Sequence, residues 1–374
     1  MSSALAGALI LWLAAAAAYR FVALRSLVRL CDPGAGPIDP VPPDGEVVVL
    51  RPLHGAPAAF ESCLESLLRA AALARARVML GVASAEDPAA AGAARVAARL
   101  PGARAELRAA PGPAGANRKV ANLIQMAAGL EAELLLLSDS DVRVPRDYVA
   151  RATRAFKDSE VGLVTGPYRS VPGASLASRL DALVTNTHFL PSTCVAARFE
   201  GVRFGLGASI AVRGEALARA GGFEALLPLA ADDYGLARHI EAAGYRLAWT
   251  PMMVEHVLED EGWRRALRRH LRWARAVRSS RPLGYFGQLA VIGALPVLLL
   301  AFAWSAQGGP GWLFPLGWWG AQLTHLWRCR ARLGLRARDL PLLPAADLLG
   351  AVIWAGGLLG APEPPEAATP PRPA

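Results

Sequence analysis

Apolar residues along this chain are gathered into blocks. Residues 3–19 are apolar almost without a break, and arginines 20, 25 and 29 follow. Three more apolar stretches lie near the other end: Gly287–Trp304, Trp312–Trp327 and Leu340–Gly360. The last carries Pro341, Pro344 and Asp347, which predicts a broken or re-entrant segment. Between these blocks short apolar runs alternate with helical spacing. Glu46–Leu50, Arg77–Val82 and Glu133–Leu137 read as buried strands, Phe60–Ala74 and Val120–Leu130 as helices. Strand, helix, strand in this rhythm predicts an α/β domain with a mostly parallel sheet covered on both faces. Such sheets bind ligands at the carboxyl ends of their strands.

Charge orients the blocks. A signal peptide carries its positive residues before the apolar stretch, whereas here they come after it. The positive-inside rule puts the N-terminus outside and the bulk of the chain in the cytoplasm. The run Arg328, Arg330, Arg332, Arg336 and Arg338 fits the same topology. The expected organisation is an N-terminal transmembrane anchor over 1–25, a linker over 26–45 with Pro/Gly-rich Gly34–Gly45 at its centre, a catalytic domain over 46–260, an amphipathic interfacial helix over 261–284, a C-terminal transmembrane region over 285–360 and a disordered Pro-rich tail over 361–374. The expected location is the inner (plasma) membrane, multi-pass, with the domain on the cytoplasmic side.

Composition sharpens this. Of 374 residues 53% are hydrophobic, and the formal charge is +9, which suits contact with anionic phosphates on a lipid surface or a substrate. The four cysteines, 31, 63, 194 and 329, lie far apart with no C-x-x-C pair, and read as free thiols in a reducing compartment. The histidines form no metal-binding spacing, and His256 reads as structural. Neither a G-x-G-x-x-G fingerprint nor a P-loop follows a strand, and Gly205-Leu206-Gly207 is too short to count as one. No nucleic-acid motif accompanies the basic residues, so no nucleic-acid partner is expected.

Three clusters carry candidate chemistry. Glu133–Leu137 runs into Ser138-Asp139-Ser140-Asp141, two carboxylates at i and i+2 that strand alternation aims the same way. With water and phosphate oxygens they suit Mg²⁺ or Mn²⁺, although a solvated turn has the same composition. Asp232-Asp233 precede a helical pattern and read either as an N-cap pair or as a general base at a helix start, where the dipole favours the charged form. Arg264–Arg281 holds eight arginines, with Arg269, Arg272 and Trp273 on one face. It reads as an amphipathic helix on anionic lipid, some of whose arginines meet a diphosphate while Trp273 packs on substrate.

These clusters, in this order before terminal spans, resemble the ceramide-glucosyltransferase family, inverting enzymes of the GT-A fold. The likeness covers about Val47 to Phe286. Its first acidic motif resembles Asp87 in Ala85–Pro88, its second Asp139-Ser140-Asp141, its third and base Asp233, and its terminal motif Arg269-His270-Leu271-Arg272-Trp273. Arg51–Gly55 and Asn117–Leu123 also look like family signatures. The resemblance implies that Arg51, Asp87, Lys119, Asn122 and Asp139 bind the nucleotide, that Asp139 and Asp141 hold the metal, and that Asp232, Asp233, Arg269, Arg272 and Trp273 serve catalysis. Asn117–Met126, Phe189–Ser192, Leu229–Tyr234 and Leu271–Phe286 look closer to bacterial hopanoid-biosynthesis glycosyltransferases, which implies UDP-GlcNAc as donor and a hopanoid polyol as acceptor. Animal ceramide enzymes carry glycine in place of Asp141. Rival readings are transfer from UDP-glucose to ceramide, a polysaccharide synthase and a non-catalytic lipid-binding scaffold.

Overall fold

The computed structural model describes residues 3–31, 45–115 and 117–360, which divide into two compact units. The first draws on 45–168 and 196–259, the second on 3–30, 169–195 and 260–360. The expected linker, apart from its first residues and Gly45, and the tail lie outside the described residues. Residues 169–195, inside the stretch expected to be the catalytic domain, group with the terminal helices instead.

The first unit is an α/β layer. Its strands are β1 (Val47–Pro52), β2 (Arg77–Val82), β3 (Arg104–Ala109), β4 (Leu134–Ser138), the short β5 (Val142–Arg143), β6 (Val161–Thr165), then, after Tyr168–Val171 (β7) leads the chain away, β8 (Ser209–Arg213), β9 (Arg246–Trp249) and β10 (Val254–Val257). Seven form one sheet in the order β3-β2-β1-β4-β8-β6-β9. The first four are mutually parallel and β9 is parallel to β6, while β8 runs antiparallel to both its neighbours. The expected α/β class with a mostly parallel sheet is present, with β8 as its reversed member.

Alternation along the strands explains the two cores. Val47 and Val49 of β1 face one layer with Leu64 and Leu68 of the helix Phe60–Leu73. Val48 and Leu50 face the other, with Val120, Leu123 and Met126 of the helix Arg118–Ala127 and Leu236 and Ile240 of the helix Asp232–Ala242. Each fully buried Val or Leu contributes roughly 1.5–3 kcal/mol. Gly81 lets the helix Arg118–Ala127 sit close on β2, because a Cβ there would lie 2.3 Å from the Met126 side chain and 2.5 Å from Asn122 Oδ1. That close approach carries Lys119, at the helix start, to the edge of β4.

The second unit is helical: Ser3–Leu30, Leu176–Val184 continuing through the wider turn Thr185–Phe189, Trp263–Ser280, Ala294–Ser305, Leu313–Leu333 and Leu343–Gly357 are its main elements. Two stretches, Ser3–Leu30 and Ala337–Gly357, are long and apolar enough to cross a membrane, and Ala294–Ser305 is apolar but 12 residues long. The single span expected over Gly287–Trp304 is broken at Ile292–Gly293. Trp12 Nε1 donates to the Leu289 carbonyl at 3.0 Å in the intervening turn. A Cβ on Gly293 would strike the Trp318 ring.

Arg20 corrects the simplest reading of the N-terminal charges. It lies within the first helix, 10 residues before its end, and donates to Asp347 Oδ1 at 3.0 Å and to His188 Nε2 at 2.9 Å. The other Asp347 oxygen accepts from Trp319 Nε1 and Gln322 Nε2, both at 3.0 Å. Asp347 is 2% exposed, so the carboxylate is desolvated and fully engaged. Replacing Asp347 with leucine strands Arg20 without its acid. We expect a loss of about 3–5 kcal/mol, read as a lowered unfolding temperature in detergent.

Candidate active site

The site is built where parallel strands end. Arg51, near the end of β1, is 0% exposed. Its Nε and Nη2 donate to the Asp139 carbonyl at 3.1 and 2.6 Å, Nη1 donates to the Cys63 carbonyl at 2.9 Å, and Nη2 also reaches the Val142 carbonyl. Burial lowers its pKa from the usual arginine value, against the pull of nearby groups such as Asp141. Arg51, expected at the nucleotide, is thus a strut beneath the acidic loop. Arg51→Met leaves three carbonyl groups without their donor and is expected to cost about 3–5 kcal/mol, measured by thermal unfolding.

Asp87 follows β2 and caps the helix Pro88–Ala98. Its Oδ1 accepts from Ala89 N at 2.9 Å and Gly55 N at 2.8 Å, and Oδ2 meets His54 Nδ1 at 2.8 Å. Burial opposes its charge, but these donors hold its carboxyl below the ordinary range. His54 lies in the Arg51–Gly55 signature and is 89% exposed. Asn122 is buried, donating to the Gly81 carbonyl at 2.9 Å and accepting from Gln125 at 2.7 Å, so it ties its helix to β2.

At the end of β4 the acidic pair is arranged differently from the expectation. The strand ends at Ser138, so Asp139 and Asp141 lie in the following turn, outside strand alternation. Asp139 Oδ1 pairs with Lys119 Nζ at 2.7 Å, while Asp141 Oδ2 meets His256 Nε2 at 3.2 Å on β10. Burial raises the Asp139 carboxyl above its usual value, and the Asp141 charge adds to the shift. Burial also opposes the Asp141 charge, but His256 and Arg51 hold that carboxyl low. Among the described residues no three His, Cys, Asp or Glu side chains converge as a complete metal cage. Two carboxylates of this kind suit a hard divalent cation whose remaining positions go to water and phosphate oxygens.

Asp232 and Asp233 open the helix Asp232–Ala242, but neither caps it: the cap position is Ala231, and no side chain closes it. Asp232 is held by Lys119 Nζ at 3.3 Å and by Asn117 Nδ2 at 3.4 Å. Asp233 Oδ2 accepts from Gly207 N at 2.9 Å and Oδ1 from Tyr234 N at 2.8 Å. The helix start was expected to favour its ionised form. Burial, joined by the Asp232 charge, outweighs that and pushes the Asp233 carboxyl up to about 6. Lys119 shows the opposite outcome: burial works against its ammonium, but Asp139, Asp232 and Asp233 hold its pKa above the ordinary lysine value.

The site therefore joins Lys119, Asp139, Asp141, Asp232 and Asp233, expected as site residues, with Asn117, which lies in a family signature but was given no role, and with His256 and Gly207. A fixed cation amid four carboxylates can neutralise a leaving diphosphate, and a carboxyl of raised pKa can accept a proton near neutral pH. Arg269, Arg272 and Trp273 lie in the helical unit on Trp263–Ser280. There Arg269 pairs with Asp181 and with Glu261, the latter at 2.6 Å, and its guanidinium lies 5.9 Å from the Trp273 ring centre. His270 Nε2 meets the other oxygen of Asp181 at 2.9 Å. Arg269 is thus committed to two carboxylates of its own unit, while Arg272 and Trp273 are half-buried.

Comparison with known proteins bears on the family and the fold. The sequence profile of glycosyl transferase family 21 matches residues 8–361. The fold is similar to that of the mannosyltransferase PcManGT from Pyrobaculum calidifontis in complex with GDP-Man and Mn²⁺, with a TM-score of 0.50 and 18% identity, covering 93% of this chain and 97% of that one. It is also similar to glucosyl-3-phosphoglycerate synthase of Mycobacterium tuberculosis, with a TM-score of 0.40 and 17% identity, covering 63% of this chain and 81% of that one. At these identities the likeness is one of fold, the GT-A fold.

Proposed function

The chain belongs to glycosyl transferase family 21, and from that premise we propose that it moves a hexose or N-acetylhexosamine from a UDP-sugar to a membrane lipid alcohol with inversion. It is a nucleotide-sugar glycosyltransferase; the pairing of UDP-GlcNAc with a hopanoid polyol is our reading of donor and acceptor. The observation that carries the chemistry is Lys119 set between Asp139 and Asp232, with Asp233 beside them on the Gly207 amide.

In this mechanism Lys119 neutralises the diphosphate as the anomeric bond breaks. Asp233, fixed by two backbone amides, takes the proton from the lipid hydroxyl as that oxygen attacks the anomeric carbon. Asp139 and Asp141 would hold Mg²⁺ or Mn²⁺, which supplies further charge to the UDP leaving group when bound. Arg51 fixes the acidic turn from below, and Asp87 with His54 borders the nucleotide side. Arg269, tied to Asp181 and Glu261, orders its own helix, Trp263–Ser280, on which Arg272 and Trp273 also lie.

A lipid acceptor suits the helical unit. Ile10, Leu11, Leu299, Phe302, Leu316 and Val352 leave large apolar side chains exposed, a surface that a bilayer covers at no hydrophobic cost. We place the protein in the inner membrane as a multi-pass chain with the α/β unit in the cytoplasm. Arg25, Arg29 and the 328–338 arginines support that orientation, Arg20 being engaged inside the unit. A reporter inserted near Asp87 is expected to read as cytoplasmic, and a periplasmic reading overturns the orientation.

The deciding experiment incubates purified protein in lipid vesicles with UDP-GlcNAc or UDP-glucose and either a hopanoid polyol or ceramide. Mass spectrometry then reads the glycolipid. The hopanoid product with GlcNAc is expected, the ceramide product would move the reading to the glucosyl branch, and no glycolipid from any pair would sink the lipid-acceptor reading.

A further inference from the structure

Two glycines flank Leu206 ahead of β8, and only one of them is explained by the fold. At Gly205 a Cβ would lie 2.5 Å from the Asp233 carbonyl oxygen and 2.9 Å from Ile210, so close backbone packing requires glycine there. At Gly207 no such reason exists. Its φ is outside the left-handed region. A Cβ there would meet only the tips of charged side chains: Asp233 Oδ2 at 3.3 Å, Lys119 Nζ at 3.5 Å and Asp139 Oδ2 at 3.6 Å. The first is a few tenths of an ångström tighter than ordinary contact and the other two are ordinary, so an alanine fits once the Asp233 side chain gives slightly. Alanine also loses less conformational freedom on folding than glycine does. The fold would accept a methyl group that the sequence does not supply.

The place of that missing methyl is informative. Strands β4 and β8 run antiparallel with Ser138 opposite Ser209, so the residues just before β8 lie beside those just after β4. Gly207 thereby bridges the Lys119–Asp139 pair and the Asp233 carboxylate, and its amide donates to Asp233 Oδ2 at 2.9 Å. We infer that Gly207 is a specificity-determining position: its bare Cα leaves the room in which the transferred sugar ring sits between the diphosphate side and the base. This rests on the glycosyltransferase mechanism proposed above.

The inference separates the nucleotide from the sugar, and so does its test. Calorimetry with Mn²⁺ measures binding of UDP and of intact UDP-GlcNAc to the full-length protein and to Gly207→Ala, alongside thermal unfolding. The variant is expected to unfold within a few degrees of the parent and to bind UDP within about twofold, because a methyl at 207 meets side-chain tips and no backbone. UDP-GlcNAc should bind at least about tenfold more weakly, about 1.4 kcal/mol of lost affinity, and turn over at least tenfold more slowly. UDP-GlcNAc bound and turned over as by the parent overturns the inference. So does parallel loss of UDP and UDP-GlcNAc, which would make Gly207 a requirement of the fold or of the nucleotide. A parent protein that binds neither ligand sinks the mechanism itself, a result distinct from any difference between parent and variant.

Discussion

Asp233→Asn is expected to leave a folded protein that binds UDP and transfers sugar about 10²–10⁴ times more slowly, the usual cost of losing a general base. The amide keeps the size of the carboxylate and can accept from the Tyr234 N–H through its oxygen. Its nitrogen then faces the Gly207 N–H in place of an acceptor, at a cost of about 1 kcal/mol. Removing a carboxylate that burial disfavours offsets that loss, so the unfolding temperature should barely move. The same group sets a pH dependence. Its pKa is raised to about 6 in the folded state, so it is ionised and competent above that pH, and transfer should fall as pH drops through 6. Linkage has the opposite sign for stability: a carboxyl raised on folding penalises the native state at pH above 6, and the penalty is relieved as pH falls. Asp233→Asn should therefore abolish the acid limb of the rate profile. A fully active variant with an unchanged profile would remove Asp233 from the mechanism.

Withdrawal of divalent metal is expected to silence transfer, and Asp141→Ala to approach the same result. The neighbourhood holds four carboxylates against Lys119 and the buried Arg51, so a further cation offsets the excess negative charge as a diphosphate approaches. Its contribution to the leaving group is on the order of several kcal/mol, at least a hundredfold in rate. Asp141→Ala removes one of the two carboxylates proposed as metal ligands and breaks the 3.2 Å contact with His256. Activity after chelation, restored by Mn²⁺ or Mg²⁺ in the parent and poorly in the variant, is the measurement. Full activity after exhaustive chelation would leave Lys119 to neutralise UDP alone and refute the metal assignment.

Strongly apolar strands were legible in the sequence because burial on both faces demands unbroken hydrophobic runs: Val47–Pro52 and Leu134–Ser138 lie within a residue or two of their expected places. Arg104–Ala109 escaped notice because an edge strand keeps much of its side-chain surface in water, and Arg104, Glu106 and Arg108 leave it no unbroken apolar run. The reversed β8 was equally invisible, since hydrophobicity does not encode strand direction. In the site, charge and spacing pointed to Asp139, Asp141 and Asp233, and the family resemblance to Lys119. The family those motifs resembled is the one whose profile matches the chain. Sequence could not distinguish an arginine aimed at a phosphate from one folded under a loop. Arg51 and Arg269 both read as ligand contacts, yet each is engaged by groups of its own unit. The missing information is tertiary: which carbonyls and carboxylates a long side chain finds once distant segments meet.

The Arg20–Asp347 pair also has a meaning in time. Its partners stand 327 residues apart, and at about 5–20 residues per second the ribosome needs on the order of half a minute to deliver the second after the first. During that interval Arg20 of the first helix is without the acid it pairs with in the folded unit. The last helix, on arriving, supplies the acid that settles it. Completion of the helical unit therefore waits on the last helix, whose Asp347 joins residues from the two ends of the sequence.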